Sequence, residues 1–414
     1  MEGLNKYDPV WDQSRHARAE EQGYVLASDG VLLATDFECG NGRNIRQAGP
    51  DSYEIDLEPE PGDHRYGGLS YYYCFGAANI GPHAHRIRVI LHSYMGDIEQ
   101  GIGNGTAHAV VRQGSDWGQL PPENVRSAGS GNALELTVDL PPCNRPGSVL
   151  FLSDFHWHPH TEMVRWVTGL SGERRVRVSV AGTSVSGRDL YRLDLGPEES
   201  DAPTIVMAQT PQPSEGVGSW SCRRIVDFLL SGDETAADIL KQFHIVVIPA
   251  TNPDGTVEGL GVSHPSGRFP YFEGKKTADE EPDVLPEMKA VWNVLRTEKP
   301  WLFIEWHGNN WKRRPGHMLL RYRPALMEDT ARRRIWENID RRLEAIPDTY
   351  HGSWTSWEEG IYQQTIGFMA VTRLQAIAYM IKPHDSFPLD ACTEHALRCF
   401  QEAVAEGRTI SRES

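Results

Sequence analysis

Two apolar runs, each followed directly by residues of the kind that bind metals, most constrain how this chain can fold. Thr204 to Ala208 precedes Gln212-Pro213-Ser214-Glu215, and Trp301 to Ile304 precedes Glu305-Trp306-His307-Gly308. Short apolar runs of this type predict buried strands of an α/β sheet. Ligands of open α/β sheets bind beyond the carboxyl ends of the strands. We therefore expect the polar residues after both runs to meet at one edge of a sheet.

Gln212, Glu215 and His307 are the candidate metal ligands. A catalytic zinc ion needs three protein ligands and an open position for water. Glu215 lies three residues after Gln212 and can reach the same ion from a turn, while His307 would complete the set from a neighbouring strand. Gln212 would bind through its amide oxygen, which is neutral and a weaker donor than imidazole. The alternative interpretation is that Ser214-Glu215-Gly216 simply begins a helix.

The pattern of elements changes near residue 154 and predicts two domains. Residues 1–154 contain short alternating segments between turn signals, which is typical of a β-sandwich. Residues 155–414 alternate strands with helices and predict an α/β domain with a mixed central sheet. The predicted fold class is therefore α/β with an N-terminal β-sandwich.

Charge and composition exclude several classes of partner. The formal net charge is −16, which disfavours nucleic acid because phosphates are held mainly by Lys and Arg. No apolar run approaches the roughly 20 residues needed to span a bilayer, and Met1 to Glu21 has no apolar signal-peptide core. The six cysteines form no Cys-x-x-Cys pair, which favours free thiols in a reducing compartment. We expect a cytoplasmic protein that acts on a small molecule or peptide.

Residues 155–405 resemble the zinc carboxypeptidase family, the carboxypeptidase A-like metallopeptidases. Four segments carry the resemblance, in the family's order: Val180 to Leu190 (G-x-S-x-x-G-R-x-I/L), Gln212 to Glu215 (His-x-x-Glu), Pro249 to Gly255 (P-x-x-N-P-D-G) and Glu305 to Gly308 (D-x-H-G). The strand-rich first domain, with Asp36 to Asn41, is similar to the domain that precedes the catalytic one in the cytosolic carboxypeptidases, with their F-E-S-G-N motif.

The resemblance implies a zinc-dependent mechanism and assigns roles to several residues. Gln212, Glu215 and His307 would hold the metal, and Glu305 would orient His307. In the family a glutamate acts as general base, an arginine stabilises the oxyanion, and an arginine and an asparagine grip the substrate's carboxylate. Arg268 is the candidate for the arginine roles, and Asn252 is a candidate for binding substrate.

The sequence departs from the family at the metal ligand Gln212, at the arginine positions and at the general base. The family's late strand carries the base as T-x-E, but Gly367 to Ala376 places Gln375 or Leu374 there. A glutamine cannot accept a proton from water at neutral pH. Candidate substitutes lie in the same C-terminal stretch, and the sequence does not choose among them: Glu358, Glu359, His384 and Asp385.

Further residues remain candidates for the site. Tyr350 and Tyr362 are candidates for a tyrosine that contacts substrate. The basic run Lys312-Arg313-Arg314, with Arg321 and Arg323, would bind an anion or form ordinary surface charge. Four tryptophans near these segments suggest either an aromatic pocket or core packing: Trp306, Trp311, Trp354 and Trp357.

Alternating histidines form two further groups. His156, His158 and His160 would share one face of an extended segment, and His83 and His85 form a shorter pair. They predict either a separate metal site or hydrogen bonds at a domain interface.

The predicted function is zinc-dependent hydrolysis of an amide or peptide bond in a small substrate, by a metallopeptidase of carboxypeptidase type with an atypical site. Two alternatives remain open. One is a catalytically silent protein of the same fold that binds a peptide, a metabolite or a protein partner. The other is a metal enzyme with changed chemistry in a biosynthetic pathway.

Overall fold

A computed structural model describes most of the chain. It covers residues 25–28, 30–62, 69–94, 108–128, 133–142, 149–197, 202–309, 316–351 and 360–410, without the side chains of 25, 350, 351, 360, 361 and 408–410. Among the predicted residues, Lys312, Arg313, Arg314, Trp311, Trp354, Trp357, Glu358 and Glu359 lie outside this description.

The N-terminal part folds into two sheets that enclose one core. Over the described residues, the first sheet has the strand order β1-β2-β5-β11-β7-β8 and the second β3-β4-β6-β10-β9. Apolar residues alternate along the strands, as in β10, where Leu134, Leu136 and Val138 are buried, because successive side chains point to opposite faces. The strands are β1 Val25–Ser28, β2 Val31–Ala34, β3 Arg43–Gly49, β4 Ser52–Asp56, β5 Cys74–Asn79, β6 His85–His92, β7 Val110–Gln113, β8 Asp116–Gln119, β9 Val125–Ala128, β10 Ala133–Leu140 and β11 Leu150–Ser153.

The C-terminal part is built on a mixed sheet with the order β12-β13-β15-β14-β16-β19-β17-β18 in the described residues. Strands β15, β14, β16 and β19 run parallel to one another, and antiparallel pairs flank them on both sides. The central strands are almost wholly buried, because helices cover both faces. The strands are β12 Val176–Thr183, β13 Asp189–Leu195, β14 Thr204–Gln209, β15 His244–Ile248, β16 Leu302–Trp306, β17 His317–Arg321, β18 Thr349–His351 and β19 Ile377–Lys382.

The helices start at recognisable capping residues. Asp233 and Asp329 each accept two backbone amides at the start of a helix, and Asn252 accepts the Gly255 amide while Pro253 takes the first helical position, as expected for N-caps. The α-helices are α1 His160–Gly169, α2 Val217–Leu229, α3 Glu234–Gln242, α4 Pro253–Val257, α5 Gly274–Ala278, α6 Pro286–Glu298, α7 Thr330–Glu344, α8 Ile366–Leu374 and α9 Leu389–Ile410. None of these helices is long and apolar enough to cross a bilayer, within the described residues.

Buried hydrogen bonds join the N-terminal part to a loop of the C-terminal part. The carboxylate of Glu60 accepts the backbone amides of Gly261, Val262 and Ser263 at 2.8, 3.3 and 3.1 Å. Asn41 Nδ2 donates to the carbonyl of Gly259 at 2.9 Å. Since these groups are buried on both sides of the contact, the loop is fixed by the N-terminal part. The domain boundary at residues 154 and 155 stays a prediction.

The expectation that Gly367 to Ala376 forms the late strand is wrong. Most of this segment is helix α8, and Gln375 follows it in a left-handed conformation with φ of 56°. The strand is the next apolar run, β19, which ends at Lys382. Both runs are apolar, and the helix is preferred for the first because Thr365 caps it by accepting the Phe368 amide.

Candidate metal centre

Three adjacent parallel strands bring the candidate ligands to one edge of the sheet. Gln212 and Glu215 follow β14, His307 follows β16, and Lys382 ends β19. The strand ends are held in step, since the Thr210 amide donates to the Trp306 carbonyl at 2.8 Å and the His307 amide to the Ile381 carbonyl at 2.8 Å. This is the edge at which α/β sheets bind their ligands.

His307 lies between two buried carboxylates. Its Nδ1 is 2.7 Å from Glu215 Oε2 and its Nε2 is 3.1 Å from Glu305 Oε2. The contact with Glu305 is close enough for an ion pair but is not aligned as a hydrogen bond. The Gly308 amide also donates to Glu215 Oε2, at 3.0 Å. The imidazole is fully buried, so its partners within the protein decide its state.

A neutral imidazole satisfies only one of these two carboxylates. If Nε2 carries the proton and faces Glu305, then Nδ1 presents a lone pair to Glu215 at 2.7 Å. Two acceptors at that distance repel each other, so either a second proton lies between them or a metal ion would bind at Nδ1 and move the two atoms apart. A carboxylate behind the ring is the usual way in which proteins orient a metal-binding histidine.

Gln212 supplies a third donor. Its side chain is buried, and its Oε1 has no hydrogen-bond partner in the described part of the chain. A buried polar atom without a partner is costly, and a metal ion or a water molecule would satisfy it. One carboxylate, one imidazole oriented by Glu305 and one unsatisfied oxygen fit a zinc site with an open position.

Lys382 adds a positive charge that the sequence analysis missed. Its Nζ lies 3.6 Å from Glu215 Oε1, and the side chain is only 13% exposed. Burial by itself would raise the pKa of Glu215, but Lys382, His307 and the Gly308 amide outweigh it and lower that pKa. The signal in the sequence was the lone lysine that ends the apolar run Ile377 to Ile381.

Arg268 and Asn252 are both committed to other partners. Arg268 Nε donates to Glu273 Oε1 at 2.5 Å, and its two terminal nitrogens bond Asp283 at 3.1 and 2.8 Å. Asn252 Nδ2 donates to the carbonyls of Pro211 and Ser263. These contacts give Asn252 a role in holding the two loops that carry the site.

Aromatic rings form the wall beside His307. The Tyr271 ring lies 5.3 Å from the imidazole, edge to face, and burial followed by the charge of Glu305 raises the pKa of its hydroxyl well above the usual value. Tyr362 packs on Phe272 at 5.7 Å, and Phe272 in turn contacts Tyr271 at 4.8 Å. Tyr350 belongs to β18 by its backbone, and its side chain lies outside the described residues.

The described candidates for a replacement base bond other groups, although Asp385 Oδ2 is buried without a hydrogen-bond partner among the described residues. Gln375 precedes β19, at the end of the strand remote from His307, and its side chain bonds the Glu328 amide and the Val371 carbonyl. Asp385 accepts both the amide and Nδ1 of His156, at 2.7 and 2.9 Å. His384 Nδ1 lies 2.7 Å from Ser386 Oγ.

The alternating histidines contact different groups. His156 binds Asp385, whereas His158 contacts Ser219 Oγ at 2.7 Å and stacks on Trp220 at 3.9 Å. His160 begins α1, where burial lowers the pKa of its ring. In the N-terminal sheets, His85 pairs with Asp51 at 2.6 Å. Of the basic residues after His307, Arg321 pairs with Asp340 at 3.5 Å and with Glu344.

Comparison with known proteins gives the same family as the motifs. Residues 163–260 match the family model described as zinc carboxypeptidase. An alignment of 310 positions with cytosolic carboxypeptidase 2 of Macaca fascicularis is 21% identical and covers 68% of this chain and 36% of that protein. The chain thus spans about a third of the length of this relative and of its human counterpart.

Solved structures share the fold. A metallo-carboxypeptidase from Burkholderia cenocepacia superposes with a TM-score of 0.75 at 14% identity, over 92% of this chain and 100% of the other. A metallo-carboxypeptidase from Pseudomonas aeruginosa, solved in complex with (2-guanidinoethylmercapto)succinic acid, gives 0.71 at 16% identity, over 90% and 98%. The predicted α/β fold with a strand-rich N-terminal region is confirmed, and the chain shares the fold of these metallo-carboxypeptidases.

Proposed function

We propose that this protein is a zinc-dependent hydrolase that cleaves an amide or peptide bond in a small substrate or peptide. Glu215, His307 and the amide oxygen of Gln212 would hold the ion, and Glu305 would orient His307. The observation that carries the proposal is the position of His307 between two carboxylates, 2.7 Å from one and 3.1 Å from the other. A second proton makes both contacts favourable as they stand, and a metal ion would relieve the first by separating Nδ1 from the Glu215 oxygen.

Bound zinc supplies a water molecule of lowered pKa and polarises a carbonyl group. Lys382 would place a fixed positive charge beside the site, where negative charge develops in amide hydrolysis. Lys382 lies at the end of β19. The site therefore has a cation where the family's late strand carries the glutamate that acts as general base. We therefore expect slow hydrolysis, since the loss of a general base typically costs about 100- to 10,000-fold in rate.

The contacts of Arg268 support a substrate without a required terminal carboxylate. Arg268 is bound to Glu273 and Asp283, so it cannot also grip a substrate without breaking these pairs. The proposal therefore does not include strict removal of a C-terminal residue. Nucleic acid and membranes are not proposed as partners.

A cytoplasmic location is part of the proposal. Five cysteines in the described residues are free and buried: Cys39, Cys74, Cys222, Cys392 and Cys399. Free thiols fit a reducing compartment.

The test combines metal analysis with peptide cleavage. Zinc bound by the wild-type protein should fall by one ion per chain in His307→Ala, with Lys275→Ala, at an exposed lysine, as the matched control. The zinc-loaded protein should then cleave peptides with free and with amidated C-termini at similar rates. Unchanged zinc content in His307→Ala would overturn the proposal. Cleavage of free C-termini alone would restore carboxypeptidase specificity.

A silent binding protein is the second candidate function. The Lys382–Glu215 contact at 3.6 Å favours it, because an ammonium group already balances the charge of a metal ligand. Zinc binding without cleavage of either peptide set would support this candidate.

A further inference from the structure

A second buried cluster of two carboxylates and an imidazole lies apart from His307. Asp254 comes from α4, His264 from the loop that follows it, and Glu287 from the first turn of α6. All three are at most 2% exposed. One ligand atom of each lies within 4.8 Å of the others. The sequence analysis did not connect these residues, because 33 positions separate the first from the last.

The spacing inside this cluster matches that of ligands around a metal ion. His264 Nε2 lies 3.7 Å from Asp254 Oδ2 and 3.4 Å from Glu287 Oε1. These distances exceed the normal range for hydrogen bonds. His264 Nε2 and Glu287 Oε2 have no hydrogen-bond partner among the residues that the structure describes. Ligand atoms about 2.0–2.2 Å from a tetrahedral ion lie about 3.3–3.6 Å from one another.

The carboxylates of the cluster also accept hydrogen bonds from other groups. Asp254 Oδ1 accepts from Ser184 Oγ at 2.8 Å and from Arg188 at 2.6 Å. The Val185 amide donates to Glu287 Oε1 at 3.0 Å. These bonds hold the carboxylates in place, as partners behind metal ligands do.

The tautomer of His264 decides what its Nε2 offers. With the proton on Nδ1, the ring donates to Ser266 Oγ at 2.7 Å and directs the lone pair of Nε2 into the gap. In the other tautomer, the Ser266 amide donates to Nδ1 at 3.1 Å and Nε2–H faces the carboxylates. The first tautomer can bind a metal ion through Nε2, and the second suits a site that holds no ion.

The balance of charge favours a cation in the gap. Asp254 Oδ2, the oxygen that faces His264, also accepts the Ser186 amide at 2.9 Å. Arg188 supplies one positive charge beside the two buried carboxylates, 2.6 Å from Asp254 Oδ1.

We propose that Asp254, His264 and Glu287 bind a divalent metal ion of the zinc or manganese class. Mixed carboxylate and imidazole ligands suit both ions. The ion would tie the β12–β13 turn, through Val185, to α4 and α6. This site is separate from the zinc site proposed above and does not depend on it.

Metal content measured by mass spectrometry tests the inference. Full-length protein is dialysed against zinc chloride and, separately, manganese chloride, and bound metal is counted for the wild type, His264→Gln and Glu287→Gln. Each variant should bind one ion per chain fewer than the wild type, and wild-type Tm should rise on addition of metal. Glu280→Gln, at an exposed carboxylate, is the matched control. Circular dichroism checks that each variant folds.

The outcomes separate this site from the one at His307. Loss of an ion in Glu287→Gln but not in His307→Ala would support this inference and overturn the proposed function. Equal metal content in the wild type, His264→Gln and Glu287→Gln would overturn the inference. If the variants do not fold, anomalous diffraction from wild-type crystals soaked in zinc chloride decides. A peak among Asp254, His264 and Glu287 supports the site, and its absence overturns it.

Discussion

The two buried clusters contain the same charged groups at different spacings. Each has one imidazole, two carboxylates and one fixed cation: His307 with Glu215, Glu305 and Lys382, and His264 with Asp254, Glu287 and Arg188. The imidazole of the first lies 2.7 and 3.1 Å from its carboxylates, and that of the second 3.4 and 3.7 Å.

The two clusters therefore differ in imidazole–carboxylate distance rather than in composition. At the shorter distances the imidazole can bond its carboxylates directly, and at the longer distances a bound ion would have to join them. A protonated His307 already touches both of its carboxylates. His264 touches neither of its own, so a bound ion would stabilise the second cluster more. The zinc site proposed at the first cluster includes the neutral amide oxygen of Gln212, which is a weaker donor than imidazole.

The largest expected effect comes from reversing the charge of Lys382. Lys382→Glu places a carboxylate at the end of β19, beside the proposed ion, and should raise the rate of peptide hydrolysis by about 100-fold or more, since a general base contributes that much. Steady-state kinetics on the zinc-loaded protein measures the effect. Lys382→Met removes the cation without adding a base, and Lys275→Glu repeats the substitution at an exposed lysine. A zinc-loaded Lys382→Glu no faster than Lys382→Met would contradict the prediction.

Acid should destabilise the fold through imidazoles that, unlike His307 and His264, have no carboxylate close by among their described contacts. His317 and His395 stack at 3.8 Å. Burial and the imidazole of His384 lower the pKa of His317 from 6.5 to about 4. Burial, His317 and Arg398 lower that of His395 to about 3.

Between pH 6.5 and these values the unfolded chain binds protons that the folded chain does not. Stability is therefore complete above pH 6.5 and falls as the pH drops, by roughly 1.4 kcal/mol per pH unit for each group. Asp340 opposes this below pH 6, because burial raises its pKa to about 6 and the folded chain binds its proton first.

Denaturant unfolding at several pH values between 5 and 7.5 measures how the free energy of unfolding changes with pH. His395→Leu should reduce this slope by about one proton, and Asp340→Asn should make it steeper below pH 6. A slope unchanged in His395→Leu would contradict the assignment.

The smallest effect is expected at Arg268. Arg268→Gln removes the pairs with Glu273 and Asp283 and should lower stability by about 1 kcal/mol, which chemical denaturation measures. The kcat/KM of hydrolysis should change by less than about twofold, which corresponds to about 0.4 kcal/mol, because the guanidinium is bound to these two carboxylates and not to substrate. A loss of tenfold or more in kcat/KM would restore Arg268 as a binder of substrate.

Periodicity and motif order predicted the fold well. The runs before Gln212 and His307 form β14 and β16, as expected, because continuous apolar segments bounded by polar residues are typical of central parallel strands. The same reasoning failed at Gln375, where two apolar runs lie next to each other and only the Thr365 cap distinguishes helix from strand.

Contacts between distant residues could not be read from the sequence. Lys382 reaches Glu215 only because β19 is a neighbour of β16. Hydrophobic periodicity predicts the strands but not their order in the sheet. The same holds for His264 and Glu287, which lie on different elements of the fold.

The clamp of Glu60 on three successive amides has a consequence for how this protein evolves. Gly261, Val262 and Ser263 bond Glu60 through backbone amides, so the bonds do not depend on their side chains, whereas Glu60 can be replaced only by another acceptor of similar reach. Gly261 is further limited, since a Cβ there would lie 2.5 Å from Glu60 Oε1. Position 60 and position 261 should therefore vary together among relatives, although they belong to different halves of the molecule. An exchange of N-terminal halves between relatives would succeed only where this pair is exchanged as well.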